Sequence, residues 1–461
     1  MFGNILFSVA AFIVALGLLI SIHEFGHFWV ARRVGVKVLK FSVGFGKPLW
    51  SRTSKVDGTE YAIGAIPLGG YVKMLDEREG DVDSAELDGA FNRKNVWQRI
   101  AVVLAGPLAN FLLAIVVYWI VMMTGISGIS PLIGDVTEGS AAQQAGFQFE
   151  DRILSIETTE TPSWSDARIA LLKHVLDDGR EDQRSVLFKV ESTDGQTHER
   201  RLSVDGRTIL KGEADIVGSL GFEQWWPRVP AVIGGLQDDG AALAAGLQIG
   251  DQIISSDGVA IDTWRDWVLL VRASAGKNLN IEVLREGEIT NLSLVPGIRE
   301  VQGSEPIGFI GAWETSSFEQ AQKARVTVSY PPGESLIKGL QRTWEMSVLT
   351  LKMLKKLLIG QASLENISGP ISIAQFAGQS ASIGLDHYLN FIALISISLA
   401  VLNLLPIPML DGGHLLYYAF EVIFRRPVPD RVQLIGQQVG ILILGSLMAL
   451  AFYNDIWRLA Q

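Results

Sequence analysis

The chain has 461 residues, a net charge of −10, no cysteine, and 48% hydrophobic residues. Without cysteine there is no disulfide, no thiolate nucleophile and no Cys-based zinc site, and the acidic balance excludes a basic nucleic-acid face. So high a hydrophobic share, in a chain long enough for several domains, points to segments that sit in lipid.

The first apolar stretch covers residues 2–30 and is followed by Arg32 and Arg33, so the span with its flank occupies residues 1–35. No basic segment precedes it, and cleavage behind it would discard two histidines; the pattern is that of a span and not of a cleavable signal peptide. Within it stands His23-Glu24-Phe25-Gly26-His27. At about 3.6 residues per turn, positions 23 and 27 project from one helix face, so two imidazoles can grip one zinc ion. Glu24 lies beside them, where a carboxylate can take a proton from a water that the metal activates. His23 lies about 30 Å along the helix, toward the cytoplasmic side but still below the lipid boundary. Water must reach such a site through protein, and an ionisable cluster at that depth marks function.

Residues 36–97 form a loop before the second apolar stretch, residues 100–123, whose span with its flanks covers 98–124. Stretches 37–45 and 60–74 alternate and contain several glycines, the pattern of β-strands. They predict a cytoplasmic, membrane-associated β-hairpin. One edge of it, with Gly69, Gly70 and Tyr71, can pair with an extended substrate by strand addition. From Arg32 to Arg99 there are twelve Lys and Arg; none precedes the first span and none lies between Thr124 and Asp151. Arg425, Arg426 and Arg431 lie between the last two spans. Positive residues stay on the cytoplasmic side, so both termini and the middle of the chain are expected outside, in the periplasm of a Gram-negative cell.

That middle is acidic: 31 acidic and 18 basic residues lie between Gly125 and Tyr330. It matches itself at a shift of 100 positions, Ile133-Gly134 with Ile233-Gly234, Ala141-Ala142 with Ala241-Ala242, Ala145-Gly146 with Ala245-Gly246, Asp151 with Asp251, and Trp164 with Trp264. Alternating strands follow in each copy. The pattern resembles a bacterial PDZ domain, present twice, at 125–222 and 223–315. Gly218-Ser219-Leu220-Gly221-Phe222 resembles a PDZ carboxylate-binding loop, whose backbone N–H groups hold a peptide C-terminus.

Residues 316–386 include an apolar stretch interrupted by Arg342, Lys352, Lys355 and Lys356. That many charges are expensive in hydrocarbon, so an amphipathic helix at the outer membrane surface is expected. The third span, residues 388–405 within 387–411, is the least apolar, with Ser396, Ser398 and Asn403. It enters from outside and is broken by Pro406 and Pro408, which brings Asp411 to the depth of His23 and His27. Asp411 is the expected third metal ligand, ahead of His414. A loop at 412–430 and a fourth span, residues 432–453 within a segment 431–461 that includes the C-terminus, complete a polytopic α-helical membrane protein with four transmembrane helices and two periplasmic PDZ-like α+β domains.

The His-Glu-x-x-His helix in the first span and the Asn-x-x-Pro-x-Pro-x-Leu-Asp-Gly segment at 403–412 resemble the site-2 protease family of intramembrane zinc metalloproteases. Four spans with a tandem PDZ insertion resemble its bacterial regulator-of-sigma-E branch. Phe41 to Gly46, Gly69 to Met74, Gly106-Pro107-Leu108-Ala109-Asn110 and Ser368-Gly369-Pro370-Ile371 add to the resemblance. It implies one catalytic zinc on His23, His27 and Asp411, Glu24 as catalytic base, and Asn403 holding substrate. Asn403, Asn110 and His414 remain open as oxyanion stabilisers. Implied partners are membrane lipid and a single-span anti-sigma factor already trimmed by an upstream periplasmic protease, together with signal-peptide remnants. The competing class is a non-catalytic zinc-containing PDZ scaffold, against which Glu24 argues, since a structural metal needs no base beside it.

Overall fold

A computed structural model of the chain describes residues 2–78, 80, 82–177, 183–205, 220–300, 306–314, 324–361, 363–364 and 367–460. Two compact units emerge, the first from Met1–Ser127 with Thr327–Ile456, the second from Gly128–Ile209 with Glu213–Val326.

The first unit is helical around one small sheet. Helix α1 (Phe2–Arg33) carries no charged residue before His23 and Glu24 and ends on Arg32 and Arg33. Strands β1 (Val38–Thr53) and β2 (Glu60–Met74) are long enough to fold back on themselves. Ser42 pairs with both Tyr71 and Ala62, and residues 60–64 pair onward with 48–53. The expected hairpin is thus a four-stranded antiparallel ribbon, and residues 70–74 form one of its edges. Phe28, Ala31, Val36, Val38 and Val102 form a core that fixes this ribbon to the C-terminal end of α1.

Helix α2 (Val96–Thr124) starts at Asn95, whose side chain accepts from Gln98 N–H while the Gln98 side chain accepts from Asn95 N–H. This reciprocal cap satisfies two donors that a helix start leaves open. After the second unit come α3 (Pro332–Leu358), α4 (Pro370–Ile383), α5 (Leu385–Asn403), α6 (Asp411–Phe424) and α7 (Asp430–Ala460). Among the described residues, four helices are long and apolar enough to cross a membrane: Ile5–Arg33, Val96–Thr124, Leu385–Asn403 and Arg431–Leu459.

Small and polar side chains join these helices, as expected where lipid removes the hydrophobic drive between them. Ser396 donates to the Asn110 carbonyl (2.8 Å) and Tyr388 to the Ala11 carbonyl (2.6 Å). On α3 the buried stripe Ser335, Gly339, Thr343, Ser347 repeats every four residues, and Gly339 faces Ile115, Tyr118 and Trp119 of α2. Asp455 near the end of α7 accepts from the Gly369, Ile371 and Ser372 N–H groups and from the Ser372 hydroxyl. These bonds cap the start of α4 and account for the Ser-Gly-Pro-Ile motif there.

The second unit holds two antiparallel sheets of like order. One runs Thr159–Glu160, Arg152–Ile156, Gln183–Glu191, Thr197–Asp205; the other Val259–Ala260, Gln252–Ser256, Leu279–Arg285, Glu288–Leu294. Helices Trp164–Asp177 and Trp264–Ala273 lie at matching places in the chain. Hydrogen bonds also recur at the 100-residue shift: Ile133 N–H to Asp151 O and Ile233 N–H to Asp251 O are both 2.8 Å. Gly218 and Ser219 of the expected carboxylate loop lie outside the described residues.

Candidate metal centre

The apolar helix α1 brings His23 and His27 together because they are one turn apart; each is only 8% exposed. Their Nε2 atoms stand 3.2 Å from each other. Asp411 Oδ2 lies 3.3 Å from His23 Nε2 and 3.6 Å from His27 Nε2. Three donor atoms thus form a nearly equilateral triangle. A tetrahedral zinc with bonds of about 2.0–2.1 Å sets its ligands roughly 3.3 Å apart, so the triangle has the size of one face of a zinc site. The donor set, two imidazoles and one carboxylate, leaves a fourth position for water, as a catalytic site requires. Asp411 Oδ2 is buried without a hydrogen-bond partner, which a cation would supply.

Asp411 reaches this place through the break after α5. Leu404 to Leu410 form a tight turn in which Met409 adopts a φ of 90°. The turn then packs on the first residues of α6 so closely that Cβ atoms at Gly412 and Gly413 would overlap the Leu405 and Ile407 carbonyls. Deeper along α6, Arg99 of α2 donates to Glu421 (2.6 Å) and lies over the Tyr418 ring at 4.9 Å. With side chains 13% and 20% exposed, this pair ties α6 to α2.

One face of α2 backs the histidines at four-residue spacing. His27 Nδ1 donates to the Val102 carbonyl at 2.8 Å, which leaves Nε2 with its lone pair toward the centre. Gly106 lies against the same ring, where a Cβ would overlap Nε2. Asn110, fully buried, lies 3.3 Å from His23 Nδ1. The sequence pointed to Gly106 and Asn110 only through the Gly-Pro-x-x-Asn motif, and it held no signal for the Val102 carbonyl.

The ribbon crosses the other side. A Cβ on Gly70 would meet Glu24 Cγ at 3.0 Å and Ile20 Cγ2 at 2.8 Å, so the 70–74 edge runs beside Glu24. Tyr71 stacks on Phe45 with ring centroids 6.2 Å apart, and Gly69 lies against that Phe45 ring. Asn403 is the last residue of α5, and His414 sits one turn beyond Asp411 on α6, its ring edge-on to Tyr417 at 6.4 Å.

Two buried histidines on a helix apolar enough to cross a membrane, met by Asp411 at the start of α6 and with a carboxylate beside them, define a membrane metallopeptidase. The chain belongs to peptidase family M50, the zinc metalloproteases of site-2 type, whose family model matches residues 11–447. It is 42% identical to the regulator of sigma-E protease RseP of Escherichia coli K12 over 456 residues, covering 99% of this chain and 100% of that one. It is 43% identical over the same shares to protease RseP of Yersinia pestis. A Vibrio cholerae chain described as a candidate zinc metalloprotease is 42% identical, again over 99% of this chain and 100% of that one.

Proposed function

We propose that this protein hydrolyses peptide bonds within the transmembrane segments of single-span proteins in the bacterial inner membrane. His23, His27 and Asp411 hold one zinc ion, and the match of their spacing to a tetrahedral face carries the assignment. Zinc bound there supplies Lewis-acid polarisation of the substrate carbonyl and makes water acidic enough to deprotonate near neutral pH. Glu24 accepts the water proton and delivers it to the leaving amine. Asn403 and His414 remain the groups for the developing oxyanion; Asn110 lies at the Nδ1 edge of His23, away from Asp411.

A helical substrate hides its carbonyls, so it must be extended before cleavage. Among the described residues the edge at 70–74 pairs with one neighbour, and it passes Glu24, which supports strand addition at Gly69, Gly70 and Tyr71 as the way the substrate is held. In this reading the two sheet domains are PDZ-like, both termini and these domains face the periplasm, and the substrate is an anti-sigma factor trimmed first by a periplasmic protease. The similarity to regulators of sigma-E supports that substrate class, and signal-peptide remnants share its single-span chemistry.

The test compares purified protein with Glu24→Gln for zinc content and for cleavage of a trimmed single-span substrate. Equal zinc with cleavage lost by at least about 100-fold is expected for the base of such a reaction. Equal cleavage by both forms would remove Glu24 from the mechanism.

A further inference from the structure

The strongest unassigned polar group in the first unit is the Asn110 side chain. It is 0% exposed, its Nδ2 lies 3.3 Å from His23 Nδ1, and its Oδ1 is buried with no partner. For His23 to offer Nε2 to a metal, its proton must sit on Nδ1, which then needs an acceptor. An amide Nδ2 cannot accept. Rotating the carboxamide by half a turn exchanges two groups of nearly equal size and brings Oδ1 to Nδ1. The number of hydrogen bonds is unchanged, because the position Oδ1 now occupies has no partner.

We infer that Asn110 is a positioning residue: in the zinc-loaded protein its Oδ1 accepts from His23 Nδ1–H, fixing the tautomer that leaves Nε2 free for the metal. The Val102 carbonyl does the same for His27 from two turns earlier on α2. One helix face thus sets both imidazoles, by a backbone acceptor for one and a side-chain acceptor for the other. Ser396 holds the Asn110 backbone carbonyl (2.8 Å) and so fixes α5 to α2 at this level. Asn110 is therefore not a group for the substrate oxyanion, since its amide is sealed behind a metal ligand.

This inference rests on the zinc assignment above, and one experiment separates the two. Zinc affinity is measured by chelator competition on the full-length protein, together with Asn110→Asp and Asn110→Leu, and the cobalt-substituted forms are compared by visible absorption. Asp keeps an acceptor of the same shape; Leu keeps the volume and loses the acceptor. Outer partners of metal-bound histidines are generally worth about 10–100-fold in affinity, so Leu should lose that much while Asp stays within about threefold of the unaltered chain. The cobalt spectrum of the Asp form should match that of the unaltered chain. Equal zinc binding by Leu would overturn the role, as would an equal loss in Asp and Leu. Should Leu fail to fold, Asp decides alone: retained zinc supports the acceptor and lost zinc rejects it. If the unaltered chain itself binds no zinc, the metal assignment fails before Asn110 is in question.

Discussion

Gly106 has no reactive group, yet the missing side chain lets α2 lie against the His27 ring. A methyl there has to displace either the imidazole or the helix, and both carry the proposed metal geometry. Gly106→Ala should therefore weaken zinc binding by more than about tenfold, as loss of a supporting contact does, measured by chelator competition; unchanged affinity would mean that the two helices yield freely. A second residue-scale expectation concerns Asp251, which is 1% exposed and receives two hydrogen bonds from the Arg285 guanidinium, 2.8 and 2.7 Å. Burial works against its ionised form, but Arg285 and the Gln248 N–H outweigh it and hold the carboxyl below its ordinary 3.8. A carboxylate depressed on folding contributes stability above its unfolded value and loses it as pH falls through the folded one. The protection of the Gln252–Ser256 amides, taken relative to their intrinsic exchange rate at each pH, should accordingly be constant above pH 3.8 and fall below it. Arg285→Met should flatten that acid step, because burial then favours the neutral acid.

At the scale of elements, strands β1 and β2 are where the reading from sequence was coarsest. Alternation gives strands and a hairpin, but the double pairing of Ser42 depends on how two long strands bend in space. That bend creates the 70–74 edge beside Glu24, so the proposed substrate strand depends on it. Single Pro substitutions at Gly69, Tyr71 and Lys73 remove backbone donors along that edge. Cleavage of a single-span substrate should fall severalfold or more wherever the lost N–H faced outward; unchanged cleavage in all three would rule strand addition out. Helix α6 shows the same dependence on packing. Asp411 is its first residue, but its place comes from Gly412 and Gly413 seated on the preceding turn and from Arg99 gripping Glu421.

At the scale of the whole molecule, the two sheet domains form a unit separate from the helices that hold the metal centre. Two roles compete for them, receptor for a newly made C-terminus or filter against bulky outer domains. Deleting Ile133 to Gly311 separates these: a filter predicts that untrimmed substrate is cut, a required receptor predicts that cleavage of trimmed substrate is lost. Much of this protein was legible in its sequence. His23 and His27 share a helix face because four residues make about one turn, and the apolar stretches mark helices because lipid demands long runs without charge. The sequence matches itself at a shift of 100 positions, and in the structure hydrogen bonds recur at that shift. What the sequence could not supply depends on helix rotation and close approach. That Val102 offers its carbonyl to His27, that Asn110 lies at the Nδ1 edge of His23, and that Asp455 caps a helix 86 residues away from it in the chain are tertiary facts. Local spacing fixes what one helix presents; only packed neighbours decide which backbone oxygen, amide or carboxylate meets it.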